Sequence, residues 1–242
     1  MEKYTLITGA SSGMGALCAK QFSNSRRLVM ASENLEMLQD VLKECANPEK
    51  HILWHCNFAT ERDIISSSLS NLLKENDAVV EEYVHFAGLT KLMPLKTTNI
   101  AAIDTVFNVN IFSIFEIMKT LLKKNNQKAL QKVVLISALV SLRGNEGNSI
   151  YAASKGAINA LTYTMARELA PEIRVNALMP GGIQTPMSSN LNPDYVAEFL
   201  KDTPLGWGKP QDVVDYVEFL LSDKAKWITG QTLFVDGGRS TK

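Results

Sequence analysis

The sequence predicts an α/β fold: a single doubly wound domain in which helices cover both faces of a seven-stranded parallel sheet. Short runs of β-branched residues alternate with longer amphipathic stretches along the whole chain. Several of the short runs are apolar at nearly every position, as in strands that helices cover on both sides. No linker, repeat or low-complexity segment interrupts the alternation, so we expect one domain over residues 1–242.

The individual elements follow from this alternation. The predicted strands are Tyr4–Thr8, Arg27–Ala31, His51–Cys56, Val79–Phe86, Lys132–Ser137, Arg174–Leu178 and Gln231–Val235. The predicted helices are Gly13–Asn24, Leu35–Glu44, Glu61–Lys74, Ile100–Lys124, Ser149–Ala170 and Pro210–Leu221. Residues 180–209 break the rhythm and are rich in Pro, Gly, Met and Leu. We predict a substrate-lid loop there, because loops this long are usually functional, although oligomer packing would use the same apolar residues.

Composition excludes several classes of protein. The 242 residues are 45% hydrophobic and 21% charged, which excludes a mainly disordered chain. Lys plus Arg and Asp plus Glu number 25 each, so no net charge indicates nucleic acid or an anionic membrane as partner. No apolar run approaches the roughly 18 residues of a membrane span, and the N-terminal residues lack a signal-peptide segment. Three scattered cysteines are too few for a disulfide framework or a zinc site. We expect a soluble, cytoplasmic protein without a metal.

A glycine-rich turn follows the first predicted strand. It contains Gly9, Ser11, Ser12, Gly13, Met14 and Gly15, and an apolar helix begins within it. Glycines let the chain turn tightly and let backbone N–H groups approach a pyrophosphate at a helix N-terminus. An ordinary strand-to-helix loop can also hold three glycines, but strand, turn and helix are all present here. The sequence therefore favours dinucleotide binding on a Rossmann-like domain.

An acidic residue at the end of the second strand bears on the choice of dinucleotide. Glu33 stands where a carboxylate would bond a ribose 2′-hydroxyl and repel a 2′-phosphate. Arg26 and Arg27 lie at the wrong end of that strand to bind a phosphate. Glu33 could equally be a solvated residue at the start of the next helix. The sequence predicts NAD(H) or NADP(H) as the cofactor, with a lean to NAD(H).

The start of the long helix after the fifth strand carries a tyrosine and a lysine one turn apart. Tyr151 and Lys155 lie at positions i and i+4, on one helix face. A neighbouring ammonium favours the phenolate and lowers the pKa of a tyrosine. Reduction of a carbonyl needs a proton donor beside the oxygen. The pair lies just past a strand end, where open α/β sheets bind their ligands.

Together these patterns resemble the short-chain dehydrogenase/reductase family over essentially the whole chain, and its 3-oxoacyl-acyl-carrier-protein reductase branch in particular. The matching residues are Thr8, Gly9, Gly13 and Gly15; Asn57; Ala87 and Gly88; Asn110; Tyr151 and Lys155; Pro180, Gly181, Gly182, Ile183 and Thr185; Ile228–Gln231; and Val235–Gly238. They occur in the family's order and at its spacing, which makes the resemblance highly specific.

The resemblance implies a role for each matching residue. Tyr151 would be the general acid and base, Lys155 would lower its pKa and hold the nicotinamide ribose, and Asn110 would kink the central helix and anchor a water in a proton relay. The remaining cofactor-binding residues would be Gly9, Ser11, Ser12, Gly13, Met14, Gly15, Glu33, Asn57, Phe58, Ala87, Gly88, Pro180, Gly181, Ile183 and Thr185. Family members are usually tetramers that pair helices Ile100–Lys124 and Ser149–Ala170, so we expect a homo-oligomer, dimer or tetramer.

The sequence departs from the family at the catalytic serine, which lies 13 residues before the tyrosine in the family. Counting back from Tyr151 gives Ala138, which cannot donate a hydrogen bond. Ser137 precedes it and Ser141 follows; either could compensate, Ser137 only after a local bulge, because strand side chains alternate between faces. The substitution could also be an engineered knockout or a drift away from catalysis. We take Ser137 as the fourth catalytic residue.

Two further departures concern the cofactor site. His85 and Phe86 replace the two asparagines that the family usually places before Ala87-Gly88, and a core histidine bonded to backbone is the preferred interpretation of His85. Ser12 stands where NADP-dependent relatives often carry Arg or Lys, which strengthens the lean to NAD(H).

The sequence thus predicts an NAD(P)-dependent oxidoreductase that interconverts a ketone and a secondary alcohol. The expected substrate has an apolar part and is a small molecule or an acyl thioester, such as a 3-oxoacyl thioester. The alternative is a weakly active or inactive cofactor-binding subunit that assembles with an active partner. A lysine cluster formed by Lys119, Lys123, Lys124, Lys128 and Lys132 could dock an acidic acyl carrier protein, although a solvated helix end explains it better.

Overall fold

Seven strands form one all-parallel sheet, which confirms the predicted fold class. The strands are β1 Glu2–Thr8, β2 Leu28–Ser32, β3 Ile52–His55, β4 Ala78–His85, β5 Lys132–Ile136, β6 Arg174–Pro180 and β7 Thr232–Val235. Their order across the sheet is β3-β2-β1-β4-β5-β6-β7. This computed structural model describes residues 1–124, 126, 128–188 and 193–241, and within these it leaves out the side chains of residues 187, 193–195 and 198.

Helices cover both faces of the sheet. They are α1 Gly13–Phe22, α2 Leu35–Lys43, α3 Ile65–Glu75, α4 Ile100–Phe107, α5 Ser113–Leu121, α6 Val140–Arg143, α7 Ser149–Leu169, α8 Pro193–Lys201 and α9 Pro210–Leu221. Adjacent residues of β1 show the division: Leu6 packs into the core under α3, α5 and α7, while Ile7 packs into the core under α1, α2 and α9. Because strand side chains alternate between faces, each buried strand serves both cores.

The strand order reverses beside β1, which positions the site. β1 pairs with β2 on one side and with β4 on the other. The chain leaves the ends of these strands toward opposite faces of the sheet, so a crevice opens beyond their carboxyl ends. The glycine-rich turn after β1 and residues Ala87 and Gly88 after β4 meet there.

The central helix, predicted as one element from residue 100 to 124, is interrupted by a π turn at Asn108–Phe112. With that turn, Ile100–Leu121 is the single stretch of the described chain that is long and apolar enough to span a membrane. The sequence analysis predicted no such stretch because it considered only uninterrupted apolar runs. This helix has a high mean hydropathy although it contains polar residues such as Asn110. Core helices of globular proteins meet the same criterion, so length and composition do not make it a membrane span.

The segment predicted as a lid loop contains regular structure. Helix α8 occupies Pro193–Lys201, a 3₁₀ turn occupies Pro186–Ser188, and Ile183 forms a parallel bridge with Gly208. The loop prediction was therefore wrong for α8, whose buried Phe199 shows that apolar residues here face the protein. Residues 189–192 lie outside the described residues, and the function as a lid stays a prediction.

Candidate functional site

The glycine-rich turn is shaped by two contacts that only glycine permits. Gly9 has a φ of +66°, and a Cβ there would lie 2.8 Å from the amide nitrogen of Ala87. A Cβ on Gly15 would lie 2.1 Å from the carbonyl oxygen of Gly9. The first contact lets the turn approach the end of β4, and the second lets α1 begin directly against β1. The backbone N–H groups at the start of α1 therefore face the crevice.

A cavity of about 440 Å³ lies over this turn. The predicted cofactor residues that line it are Gly9, Ser11, Ser12, Gly13, Met14, Gly15, Glu33, Phe58, Ala87, Gly88 and Thr185. Cys56, Thr105 and Val109 line it as well, and the sequence patterns gave no sign of them. Asn57 is not among its lining residues, because its side-chain oxygen accepts the Ala59 N–H at 2.9 Å and closes a local turn.

At one end of this cavity stand residues of β2 and of the loop that follows it. The Ser32 hydroxyl donates to the Ser11 hydroxyl at 2.7 Å, which ties the end of β2 to the glycine-rich turn. Glu33 is exposed, and its carbonyl oxygen bonds to the His55 ring at 2.9 Å. Neither lysine nor arginine is among the described lining residues of this cavity. The end near Glu33 therefore carries negative charge.

A second cavity, of about 380 Å³, continues from the first. Met14, Phe86, Gly88 and Thr185 line both cavities. The predicted site residues on its walls are Met14, Gly88, Ser137, Tyr151, Lys155, Pro180, Gly181, Ile183 and Thr185. A long ligand in the first cavity would thus reach the side chains of Tyr151 and Lys155 at the entrance to the second.

Tyr151 and Lys155 lie together on the first turns of α7. The Lys155 Nζ is 5.6 Å from the centre of the Tyr151 ring and donates a hydrogen bond of 2.7 Å to the Ile136 carbonyl. A Cβ on Gly88 would lie 3.3 Å from that Nζ. Burial raises the pKa of Tyr151 to about 12 and lowers the pKa of Lys155 to about 7. Tyr151 is therefore protonated at neutral pH, and Lys155 is poised between its two forms.

Asn110 lies in the π turn and lines neither cavity. Its side-chain oxygen accepts the Leu89 N–H at 2.7 Å, while its amide donates to the Leu89 carbonyl at 3.1 Å and to the Ser154 hydroxyl at 2.9 Å. The side chain is completely buried. In this structure Asn110 joins the loop after β4 to α7, next to Tyr151, through direct contacts of its side chain.

The two serines considered as substitutes at the Ala138 position both point to α7. The Ser137 hydroxyl donates to the Lys155 carbonyl at 3.0 Å, although Ser137 touches the cavity wall. The Ser141 hydroxyl donates to the Ala138 carbonyl at 2.8 Å and accepts from the Asn159 amide at 3.0 Å. These contacts argue against either hydroxyl as a donor to a substrate.

Asn148 is one of several polar residues on this wall that the sequence patterns missed. It lies three positions before Tyr151, at the start of α7, and lines the second cavity. Its side chain does not cap the helix, and we find no hydrogen bond from it to the described residues. The spacing i, i+3 before Tyr151 could have identified it, because such residues share a helix face.

His85 is completely buried below the site. Its Nδ1 lies 3.0 Å from the Thr8 hydroxyl and 2.7 Å from the Tyr83 hydroxyl, and the Thr8 hydroxyl accepts the Ala87 N–H at 3.2 Å. Which of these groups donates depends on the ring tautomer, and Nε2 has no hydrogen-bond partner among the described residues. Burial, together with the charge of Lys155, lowers the pKa of His85 to about 3. His85 therefore holds the turn after β4 as a neutral side chain.

Charged and aromatic residues from distant parts of the chain complete the second cavity. Arg143, Trp207 and Arg239 line it, and the Trp207 and Phe199 rings stack with centroids 4.9 Å apart. No sequence pattern brings these residues together, since only the folded chain places the C-terminal Arg239 beside α6.

Two further groups of ionisable side chains, a histidine pair and the lysine cluster, have ordinary partners. His51 and His55 both bond to backbone atoms, and the described residues hold no cluster of three or more metal-ligating side chains. In the lysine cluster, Lys119 pairs with Glu116 and Lys132 with the buried Glu82. Lys132 begins β5, whereas both cavities lie beyond the carboxyl ends of the strands.

Comparison with known proteins agrees with this geometry. The profile of a family described as enoyl-(acyl carrier protein) reductase matches residues 9–240. A 3-oxoacyl-[acyl-carrier-protein] reductase of Thermotoga maritima is 33% identical over 239 residues, which cover 98% of this chain and 97% of that protein. Nearly the full length of both chains is therefore related.

Solved structures show the same fold with a nicotinamide cofactor. The 3-ketoacyl-(acyl-carrier-protein) reductase of Brucella melitensis, complexed with NADH, superposes with a TM-score of 0.86 at 27% identity and covers 98% of both chains. A 4-hydroxyisoleucine dehydrogenase complexed with NADH and succinate has a TM-score of 0.88 at 27% identity, covering 98% of this chain and all of the other. This chain belongs to the short-chain dehydrogenase/reductase family and is an oxidoreductase that acts on CH–OH groups with a nicotinamide cofactor.

Proposed function

We propose that this protein interconverts a ketone and a secondary alcohol, with a 3-oxoacyl thioester as the substrate and Tyr151 as the acid and base. The observation that supports this most directly is the place of Tyr151 and Lys155, at the junction between a cavity built for a dinucleotide and a second cavity with apolar walls. The names of the acyl-carrier reductases among its relatives support the choice of substrate.

The residues of the first cavity fit a dinucleotide. Gly9 and Gly15 have no side chains, so the turn packs closely and its backbone N–H groups at the start of α1 are free to bind the pyrophosphate. Ser11 and Glu33 would hold the adenosine ribose, and Lys155 and Thr185 would hold the nicotinamide half. When bound, the nicotinamide supplies or accepts the hydride. The exposed carboxylate of Glu33 disfavours a 2′-phosphate, so we propose NAD(H) as the preferred cofactor.

Tyr151 supplies the proton in the direction of reduction. Its phenol is protonated at neutral pH because burial raises its pKa to about 12, and the hydroxyl therefore acts as a donor to the ketone oxygen. The charged form of Lys155 stabilises the phenolate that proton transfer leaves. With a pKa of about 7, Lys155 can also take up a proton from solvent near neutral pH.

Asn148 supplies a second hydrogen bond to the substrate oxygen, in our proposal. Ala138 has no donor, and the Ser137 and Ser141 hydroxyls are bonded to α7 and to the backbone. The side-chain amide of Asn148 lines the cavity without a partner among the described residues. A donor at the oxygen stabilises the charge that develops there.

We also propose that the protein assembles through its central helices. Phe115 on α5 and Tyr163 on α7 are about half exposed, at 45% and 52%. Both helices are those that the family resemblance implies for pairing, and burial of these rings in a dimer or tetramer would stabilise the assembly. A cytoplasmic location and an acyl carrier protein as partner remain predictions.

The experiment that tests this function follows NADH or NADPH absorbance while the protein is mixed with an acetoacetyl thioester. We expect cofactor oxidation that depends on the thioester and is faster with NADH, together with formation of the 3-hydroxyacyl product. A parallel titration measures cofactor binding without substrate. Binding without turnover of any 3-oxoacyl thioester would overturn the proposal and favour the cofactor-binding subunit.

A further inference from the structure

The second cavity carries two arginines that form an ion pair with no carboxylate among the described residues. Arg143 ends α6, and Arg239 lies in the C-terminal turn, 96 positions later. Both line the cavity, and its described lining residues include no aspartate or glutamate. No ion pair joins either arginine to the part of the chain that the structure describes.

The hydrogen bonds of both arginines go to neutral oxygens. Arg239 donates to the Phe199 carbonyl at 2.7 Å and to the Thr203 hydroxyl at 3.4 Å, and its guanidinium stacks on the Phe199 ring at 3.8 Å. Arg143 donates from one terminal nitrogen to the Arg239 carbonyl. A guanidinium has five N–H donors, so Arg143 keeps several of its donors for a ligand.

The nearby carboxylate of Asp236 is occupied elsewhere. Its two oxygens accept the N–H groups of Gly238 at 3.0 Å and of Ser240 at 2.7 Å, and the residue is only 9% exposed. It therefore shapes the C-terminal turn that carries Arg239, and no ion pair within the described residues joins it to either arginine. Two guanidinium groups on one cavity wall, that of Arg143 exposed and that of Arg239 stacked on Phe199, attract and orient an anion.

We infer that Arg143, held by Arg239, binds an anionic group of the substrate at the end of the second cavity away from Glu33. The ligand chemistry is a carboxylate or a phosphate on a small ketone, and Arg143 thereby selects anionic over neutral ketones. Arg239 is a positioning residue, because its guanidinium already contacts Phe199 and Thr203. This inference rests on the proposed function.

The test compares three ketones that share the acetoacetyl group: a neutral N-acetylcysteamine thioester, acetoacetyl-CoA with its phosphates, and acetoacetate. We measure kcat/KM of each with the unchanged protein, Arg143→Gln, Arg143→Lys and the control Arg167→Gln, which changes an exposed arginine on α7 away from the cavity.

We expect Arg143→Gln to lower the ratio of kcat/KM for an anionic ketone over the neutral one by about tenfold. Arg143→Lys should restore most of the ratio. The anion that loses its advantage identifies phosphate or carboxylate as the group bound.

An equal loss for all three ketones would overturn the inference, because a merely structural contact between Arg143 and the C-terminal turn predicts that result. An unchanged ratio would overturn it as well.

A second measurement separates this inference from the proposed function. Inorganic phosphate and succinate are titrated into the protein while tryptophan fluorescence reports on Trp207 in the cavity wall. Binding weakened about tenfold by Arg143→Gln upholds the anion site even if no ketone is reduced. Binding that is absent, or equal in all variants, overturns the site even if ketones are reduced.

Discussion

The Ser137 hydroxyl donates a hydrogen bond of 3.0 Å to the carbonyl oxygen of Lys155. Ser137 directly follows β5. Its hydrogen bond connects the end of this strand to α7, one turn after Tyr151. The hydroxyl therefore fixes the position of the helix that carries the proposed acid. The next residue, Ala138, lines the cavity without a donor.

We predict that Asn148→Ala lowers kcat for ketone reduction by about 10²-fold, because it removes the proposed second side-chain donor at the substrate oxygen, beside Tyr151. Ala138→Ser should raise kcat by adding a donor. In the double variant the loss on removing Asn148 should be smaller than in the parent, since the new serine shares its role. The four proteins are compared by steady-state kinetics.

The stability of the Asn148→Ala variant toward urea is the control for this double-mutant cycle. The Asn148 side chain does not cap α7, so Asn148→Ala should leave the urea midpoint near that of the parent. Additive effects in the cycle would show that the two positions act independently, and the proposed role of Asn148 would then be wrong.

The contact between Gly15 and Gly9 predicts a specific effect of a single methyl group. Gly15→Ala places a Cβ against the Gly9 carbonyl, which should lower the free energy of unfolding by about 1–3 kcal/mol and weaken NADH binding by displacing the turn. Denaturation and calorimetric titration measure the two effects.

Gly156→Ala is the matched control. A Cβ on Gly156, inside α7, meets nothing within 4 Å, so this change should raise the free energy of unfolding by about 0.5–1 kcal/mol through helix propensity. Equal NADH affinity in both variants would contradict the account of the turn.

The buried neutral His85 predicts a dependence of stability on pH. Its pKa is about 3 in the folded protein and 6.5 in its ordinary state, so between these values the unfolded chain binds a proton that the folded chain does not. Its contribution to the free energy of unfolding is therefore complete above pH 6.5 and falls by about 1.4 kcal/mol per pH unit below it.

The measurement is urea denaturation of the parent and of His85→Asn from about pH 6.5 to about pH 5, where the slopes should differ by that amount. His51 and His55 remain in both proteins and cancel in the difference. Parallel curves would show that His85 titrates normally when folded.

The carboxylate at residue 33 predicts the cofactor preference. Glu33→Gln should lower kcat/KM for NADH and raise it for NADPH, changing their ratio by about tenfold, because a charged acceptor is lost at the ribose and repulsion of a 2′-phosphate ends. Glu36→Gln, in the first turn of α2 and also exposed, is the control and should leave the ratio as it is. A preference for NADPH in the unchanged protein would contradict our lean to NAD(H).

The parts of the site that the sequence predicted are those encoded by near neighbours. The strand–turn–helix pattern around Gly9 and Gly15 and the spacing of Tyr151 and Lys155 are local. The parallel sheet follows from the alternation of strands and helices. In the structure Gly9 approaches Ala87, just after β4.

The rest depends on contacts between distant residues. The π turn around Asn110 leaves the apolar pattern of the central helix intact, so periodicity predicted one continuous helix. Arg143 and Arg239 meet only because α6 and the C-terminal turn pack together. The orientation of the Ser137 hydroxyl was expected from strand alternation, but its partner on α7 was not.

The most direct test of the account is the effect of Tyr151→Phe on reduction of an acetoacetyl thioester. We predict a fall in kcat of about 10²–10⁴-fold, as for loss of a general acid, with NADH affinity and urea midpoint unchanged. Tyr163→Phe, an exposed tyrosine on the same helix, should keep the parent activity. Tyr151→Phe that reduces the thioester at the rate of the parent would contradict the central claim.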